Sequence, residues 1–113
     1  MKHVPVLRVE TVTIANGATA SSSVDASLYT LVGVEFPATL TGTGVTVQVS
    51  QDNTNFVAAY QGSGDVTFTK QNSKLVLAAS SKLLEGLGKY IRVVSSGAEG
   101  ADRTLKLYLV PRA

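Results

Sequence analysis

The strongest constraint in this chain is alternation with a period of two. Val45, Val47 and Val49 share one parity, with Thr46, Gln48 and Ser50 between them. Leu105, Leu107 and Leu109 repeat the pattern against Thr104, Lys106 and Tyr108. Successive side chains of an extended strand point to opposite faces, so each run is a ribbon with one apolar face and one wet face. Short clusters of Gly, Ser, Asn and Thr separate the ribbons. This pattern dictates a small antiparallel β domain and carries no chemistry of its own.

Along the chain, residues 6–15 read as a strand with a slip of parity. Leu7 and Val9 share one parity, Val12 and Ile14 the other, and a β-bulge near Glu10-Thr11 reconciles them. Asn16-Gly17 signals a turn, because both residues tolerate positive φ. Residues 21–25 read as a short edge segment. Residues 28–36 are apolar on nearly both faces, which predicts a central strand ended by Pro37. Further strands are expected over 45–50, 56–60, 66–70, 74–79, 89–95 and 103–110. Residues 80–86 hold the one expected helical turn, capped by Ser81 and stopped by Gly86. The fold class is therefore all-β: an antiparallel β-sandwich, jelly-roll-like, of about eight short strands and at most one short helical turn. The expected core includes Val32, Val34, Val47, Val49, Phe56, Phe68, Ile91, Val93, Leu105 and Leu107.

With 113 residues the chain fits one domain spanning 1–113, with residues 1–5 a possible extended N-terminal arm. It contains no Cys, which removes disulfides, thiolate metal sites and cysteine nucleophiles. Pro5, Arg8 and Glu10 interrupt any apolar leader, and no run approaches the roughly 18 apolar residues of a membrane helix. The net charge of +2 is too small to suggest nucleic acid as a partner. No Lys or Arg lies between Arg8 and Lys70, whereas Glu10, Asp25, Glu35, Asp52 and Asp65 do. Two arrangements suit this asymmetry: a polar assembly surface, or strands of both halves interleaved so that the charges mix.

Catalytic patterns are missing. His3 is the only histidine and lies at a terminus, which leaves no positioned imidazole for a Ser-His-Asp relay. Asp52-Asn53-Thr54-Asn55 has oxygen donors at alternate positions, as a Ca²⁺ loop would, but lacks the distal bidentate Glu. Its other reading is a turn whose Asp and Asn side chains bond the backbone. Tyr29, Tyr60, Tyr90 and Tyr108 could form a sugar-stacking platform, or sit singly at the rim of the core with wet hydroxyls. Gly42-Thr43-Gly44 opens a strand rather than a helix, so it is not a phosphate loop. The expectation is a protein that is not an enzyme and needs no cofactor or metal.

Three stretches resemble small structural proteins of tailed bacteriophages: Leu31 to Pro37 followed by Leu40-Thr41-Gly42; Val45 to Phe56; and Gly88 to Ser95 followed by Arg103 to Leu109. The resemblance covers roughly residues 11 to 110 and rests on strand-and-turn patterns without an invariant site. It implies a virion component of the capsid decoration (cement) type, made in the host cytoplasm and placed on the capsid exterior. It implies the major capsid protein as partner, a homotrimer as the assembled state, and neither nucleic acid nor membrane as a target. The alternative is a carbohydrate-binding β-sandwich module of a phage tail or fibre. The residues expected to meet a partner are Val4 and Val6 in the N-terminal segment 1–6, Thr41 and Thr43 in the loop 39–44, and Glu99 and Asp102 in the loop 96–102.

Overall fold

The computed structural model describes residues 7–61, 64–78 and 89–111. The expected helical turn, Val4, Val6 and the arm 1–5 lie outside them. Two antiparallel sheets pack face to face over one apolar core, a β-sandwich.

The first sheet has the order β1 (Arg8–Ile14), β11 (Arg103–Pro111), β3 (Tyr29–Glu35), β9 (Leu75–Leu77). The second has the order β2 (Val24–Asp25), β10 (Tyr90–Ser95), β4 (Gly44–Ser50), β5 (Val57–Ala58), with β8 (Thr67–Thr69) pairing the other end of β4. β6 (Tyr60–Gln61) and β7 (Gly64–Asp65) form a separate hairpin. Val66 N–H donates to Ala59 O at 2.8 Å across the base of that hairpin. Strands of the N- and C-terminal halves thus alternate in both sheets. Lys106 lies across from Glu35, with Nζ 4.0 Å from Oε2. The sequence asymmetry of charge is mixed by the fold.

The alternating runs pack as their period requires. Val45 and Val47 on β4, Ile91 and Val93 on β10, and Leu105, Leu107 and Leu109 on β11 are all buried. Deleting such side chains costs roughly 2 to 5 kcal/mol each. Val34 and Phe68 are buried as expected, whereas Val32, Val49 and Phe56 are only half-buried. Phe56 lies on the outer side of its sheet, where the Arg92 guanidinium stacks over the ring at 4.1 Å. Arg92 is fixed there by donating to Gln48 Oε1 at 2.8 Å. Truncating Phe56 therefore removes a surface stack more than core volume.

The parity slip in residues 6–15 has a different cause from the one expected. β1 pairs β11 in unbroken register from Arg8↔Leu109 to Ile14↔Arg103, without a bulge. Arg8 and Glu10 share the inner parity of Val12 and Ile14, so Leu7 and Val9 face outward and are 50% and 43% exposed. Arg8 is usable on the inner side because its chain end is satisfied there. Its Nη1 donates to Asp25 O at 2.9 Å, its Nε to Glu10 Oε2 at 2.7 Å, and it lies over the Tyr29 ring at 5.0 Å. The bulge falls instead between β3 and β11. Leu31 pairs Leu109 and Gly33 pairs Tyr108, leaving Val32 unpaired. This extra residue lets Leu31 and Val34 both point inward.

Candidate functional site

The connections Ile14-to-Val24, Glu35-to-Gly44 and Ser95-to-Arg103 converge at one end of the sandwich. The first begins with a turn over Ala15 to Ala18, closed by Ala18 N–H to Ala15 O at 2.9 Å. Of the predicted pair only Gly17 adopts positive φ, at 83°. Its N–H then donates to Glu99 O at 2.7 Å, and Glu99 N–H returns a bond to Ala18 O at 3.0 Å. Asp102 Oδ1 accepts from the Asn16 N–H at 2.8 Å. The first and third loops are joined by backbone and carboxylate together.

Glu99, expected among the surface residues that meet a partner, is only 1% exposed. Its carboxylate is spent inside the protein. Oε1 accepts from Thr41 N–H at 2.8 Å and from Arg103 Nε at 2.9 Å. Oε2 accepts from Ser95 Oγ at 2.7 Å and from Gly42 N–H at 3.1 Å. Burial alone would raise the carboxyl pKa. The bonds from Thr41, Ser95, Arg103 and Gly42 outweigh it and hold the pKa at about 2. Gly42 has no room for a side chain, because a Cβ there would run into the Ser95 and Ser96 hydroxyls and the Ser96 backbone N. Ser96 Oγ in turn accepts from Thr43 N–H at 2.8 Å.

Thr41, Thr43 and Asp102 remain exposed on these tied loops. The structure thus brings four of the expected residues to one end: Thr41, Thr43 and Asp102 are exposed, each with a side-chain oxygen bonded within the loops, and Glu99 is buried beneath, holding the N–H groups of Thr41 and Gly42. Sequence reasoning missed Ser95, Ser96, Gly42 and Arg103 as members of the lock. The available signal was a Glu between Ala98 and Gly100 in a Gly/Ala/Ser loop, four residues before an Arg.

Elsewhere the sequence candidates separate. Tyr90 is on the outer face of the second sheet and Tyr108 on the outer face of the first, so the four tyrosines share no platform. Tyr108 donates its hydroxyl to Glu35 Oε1 at 2.6 Å, which raises the phenol pKa. Asp52 takes the turn geometry: Oδ1 accepts from Ser50 Oγ and from the N–H groups of Thr54 and Asn55, each at 2.9 Å, and Oδ2 accepts from Asn55 Nδ2 at 3.0 Å. Among the described residues, no cluster of three His, Cys, Asp or Glu side chains is placed to hold a metal ion. No protein-family model, curated protein or solved structure matches this chain.

Proposed function

We propose that this protein is a non-enzymatic structural component of a tailed-phage virion, a decoration protein that binds and stabilises major capsid subunits on the capsid exterior. The observation that carries the reading is the locked loop end. Three loops distant in sequence are tied together before any partner arrives, and they carry the exposed residues Thr41, Thr43 and Asp102, a side-chain oxygen of each already bonded within the loops. Such a surface suits flat contact with another protein, since preorganised loops lose little freedom on binding. The resemblance to phage structural proteins supplies the class of partner.

The test is co-sedimentation with empty capsids of the phage or prophage whose genome encodes the chain. Wild type should pellet with the capsids in stoichiometric amounts. Thr43→Arg should pellet at less than about one tenth of that level, because a buried mismatched charge at an interface costs several kcal/mol. Gln51→Arg, at the opposite end of the sandwich, should bind as wild type does. No binding by wild type, or full binding by Thr43→Arg, would discard this reading.

A further inference from the structure

We propose that β1 is a self-pairing edge, and that two copies of the chain join through it antiparallel, with a two-fold axis at Val9.

β1 is the terminal strand of its sheet. Which backbone groups face outward is fixed by Thr13. Its C=O accepts from Ser22 N–H at 3.1 Å and its N–H donates to Ser22 Oγ at 3.4 Å, so both point away from β11. The register with β11 is unbroken, so by alternation the N–H and C=O groups of Val9 and Thr11 point to the same free side. Among the described residues they have no strand neighbour. An open edge of this kind is a template for another strand.

The residues select both the occupant and the register. An axis at Val9 makes Val9 a hydrogen-bonded pair with its own copy and sets Thr11 opposite Leu7, the parity the free groups require. The same axis sets Arg8 opposite Glu10 of the second copy, twice, in the non-hydrogen-bonded positions where side chains approach most closely, so that the ion pair each Arg8 makes with its own Glu10 at 2.7 Å is extended into a group of four alternating charges. An axis at Arg8 or at Glu10 would face like charges across the dyad. An axis at Thr11 would demand the Thr13 groups that Ser22 already occupies. Among dyads at Arg8, Val9, Glu10 and Thr11, the Val9 register alone satisfies charge and hydrogen bonding together, and a second copy supplies that complement by symmetry. The pairing also joins two outward rows. Val9, Tyr108, Gly33 and Leu77 lie side by side across all four strands, and the dyad continues this row into its copy. A dimer replaces the trimer that the phage resemblance implies, and it stands independently of capsid binding.

The chain has no native Cys, so single cysteines report the register cleanly. Under mild oxidation Val9→Cys should form a disulfide dimer, because paired Cα atoms are about 5.5 Å apart. Thr11→Cys should not, because its two copies sit four residues out of register, roughly 13 Å along the strand. In sedimentation velocity, wild type should run as a dimer. Thr11→Pro, which removes only an outward N–H, should run as a folded monomer. If Thr11→Pro fails to fold, the cysteine pair decides. A monomeric or trimeric wild type, a dimeric Thr11→Pro, or Thr11→Cys cross-linking as readily as Val9→Cys would overturn the proposal.

Discussion

The two ends of the sandwich are each organised by one carboxylate, and they use it on different scales. Asp52 bonds only residues 50 to 55, its own turn, in full contact with water. Glu99 binds N–H groups 57 and 58 residues away, from inside the protein. Both accept four hydrogen bonds from side chains or backbone, and both have lowered pKa values. The count of bonds therefore does not rank them. What ranks them is what each removal leaves behind: water replaces Asp52 at once, whereas removing Glu99 deprives the Thr41 and Gly42 amides, the Ser95 hydroxyl and the largely buried Arg103 of their common acceptor.

The contrast would break most visibly with Glu99→Ala. That change strands Arg103 and two loop amides beside a cavity and should cost roughly 3 to 5 kcal/mol in denaturant unfolding. A loss below about 1 kcal/mol would mean that the loops hold without their tie.

Acid titration should give a somewhat smaller effect. The Glu99 carboxyl titrates at about 2 in the fold against 4.5 when unfolded. Its contribution is fully present above pH 4.5 and is lost as pH falls from there towards 2, amounting to about 3 kcal/mol. Glu99→Gln should flatten that acid limb. An acid limb of unchanged slope in Glu99→Gln would assign the effect to other carboxylates.

Gly42→Ala should cost about 1 to 3 kcal/mol, because the neighbours its Cβ would strike are the hydroxyls that build the lock and a backbone nitrogen. Thermal unfolding reads this directly. A neutral result would show that Ser95 and Ser96 can turn aside without loss.

Asp52→Ala should give the smallest change. Faster amide exchange should be confined to Thr54 and Asn55, the two N–H groups its Oδ1 accepts, with the Glu99 end unaffected. Spread of that exchange to Thr41 or Gly42 would show that the two ends communicate.

Different parts of this molecule were legible in the sequence for different physical reasons. β4, β10 and β11 announce themselves because burial on one face imposes period two on Val, Ile and Leu. β1 obeys the same rule, yet its pattern misleads. Arg8 and Glu10 take inner positions at the rim, and the apolar Leu7 and Val9 are left outside, so hydrophobicity and direction disagree there. The bulge at Val32 is hidden because the residues around it, Leu31 to Val34, are apolar or Gly on both faces, and a shift of parity changes no letter of the pattern. The lock around Glu99 has no period at all. It depends on loops that the topology brings together from 57 and 58 residues apart, and a carboxylate reads the same on paper whether it meets water or four donors.

The bond between Val66 and Ala59 closes the lane beside β4 before the chain leaves it as the β6–β7 hairpin. The β6–β7 pair is therefore an appendix to a ladder already complete without it. Lengthening such a tip adds only a slowly growing entropic cost, about 0.6 kcal/mol per doubling of the loop. The hairpin is thus a natural port for grafting: a foreign epitope or tag can be spliced in there while the two sheets keep their register.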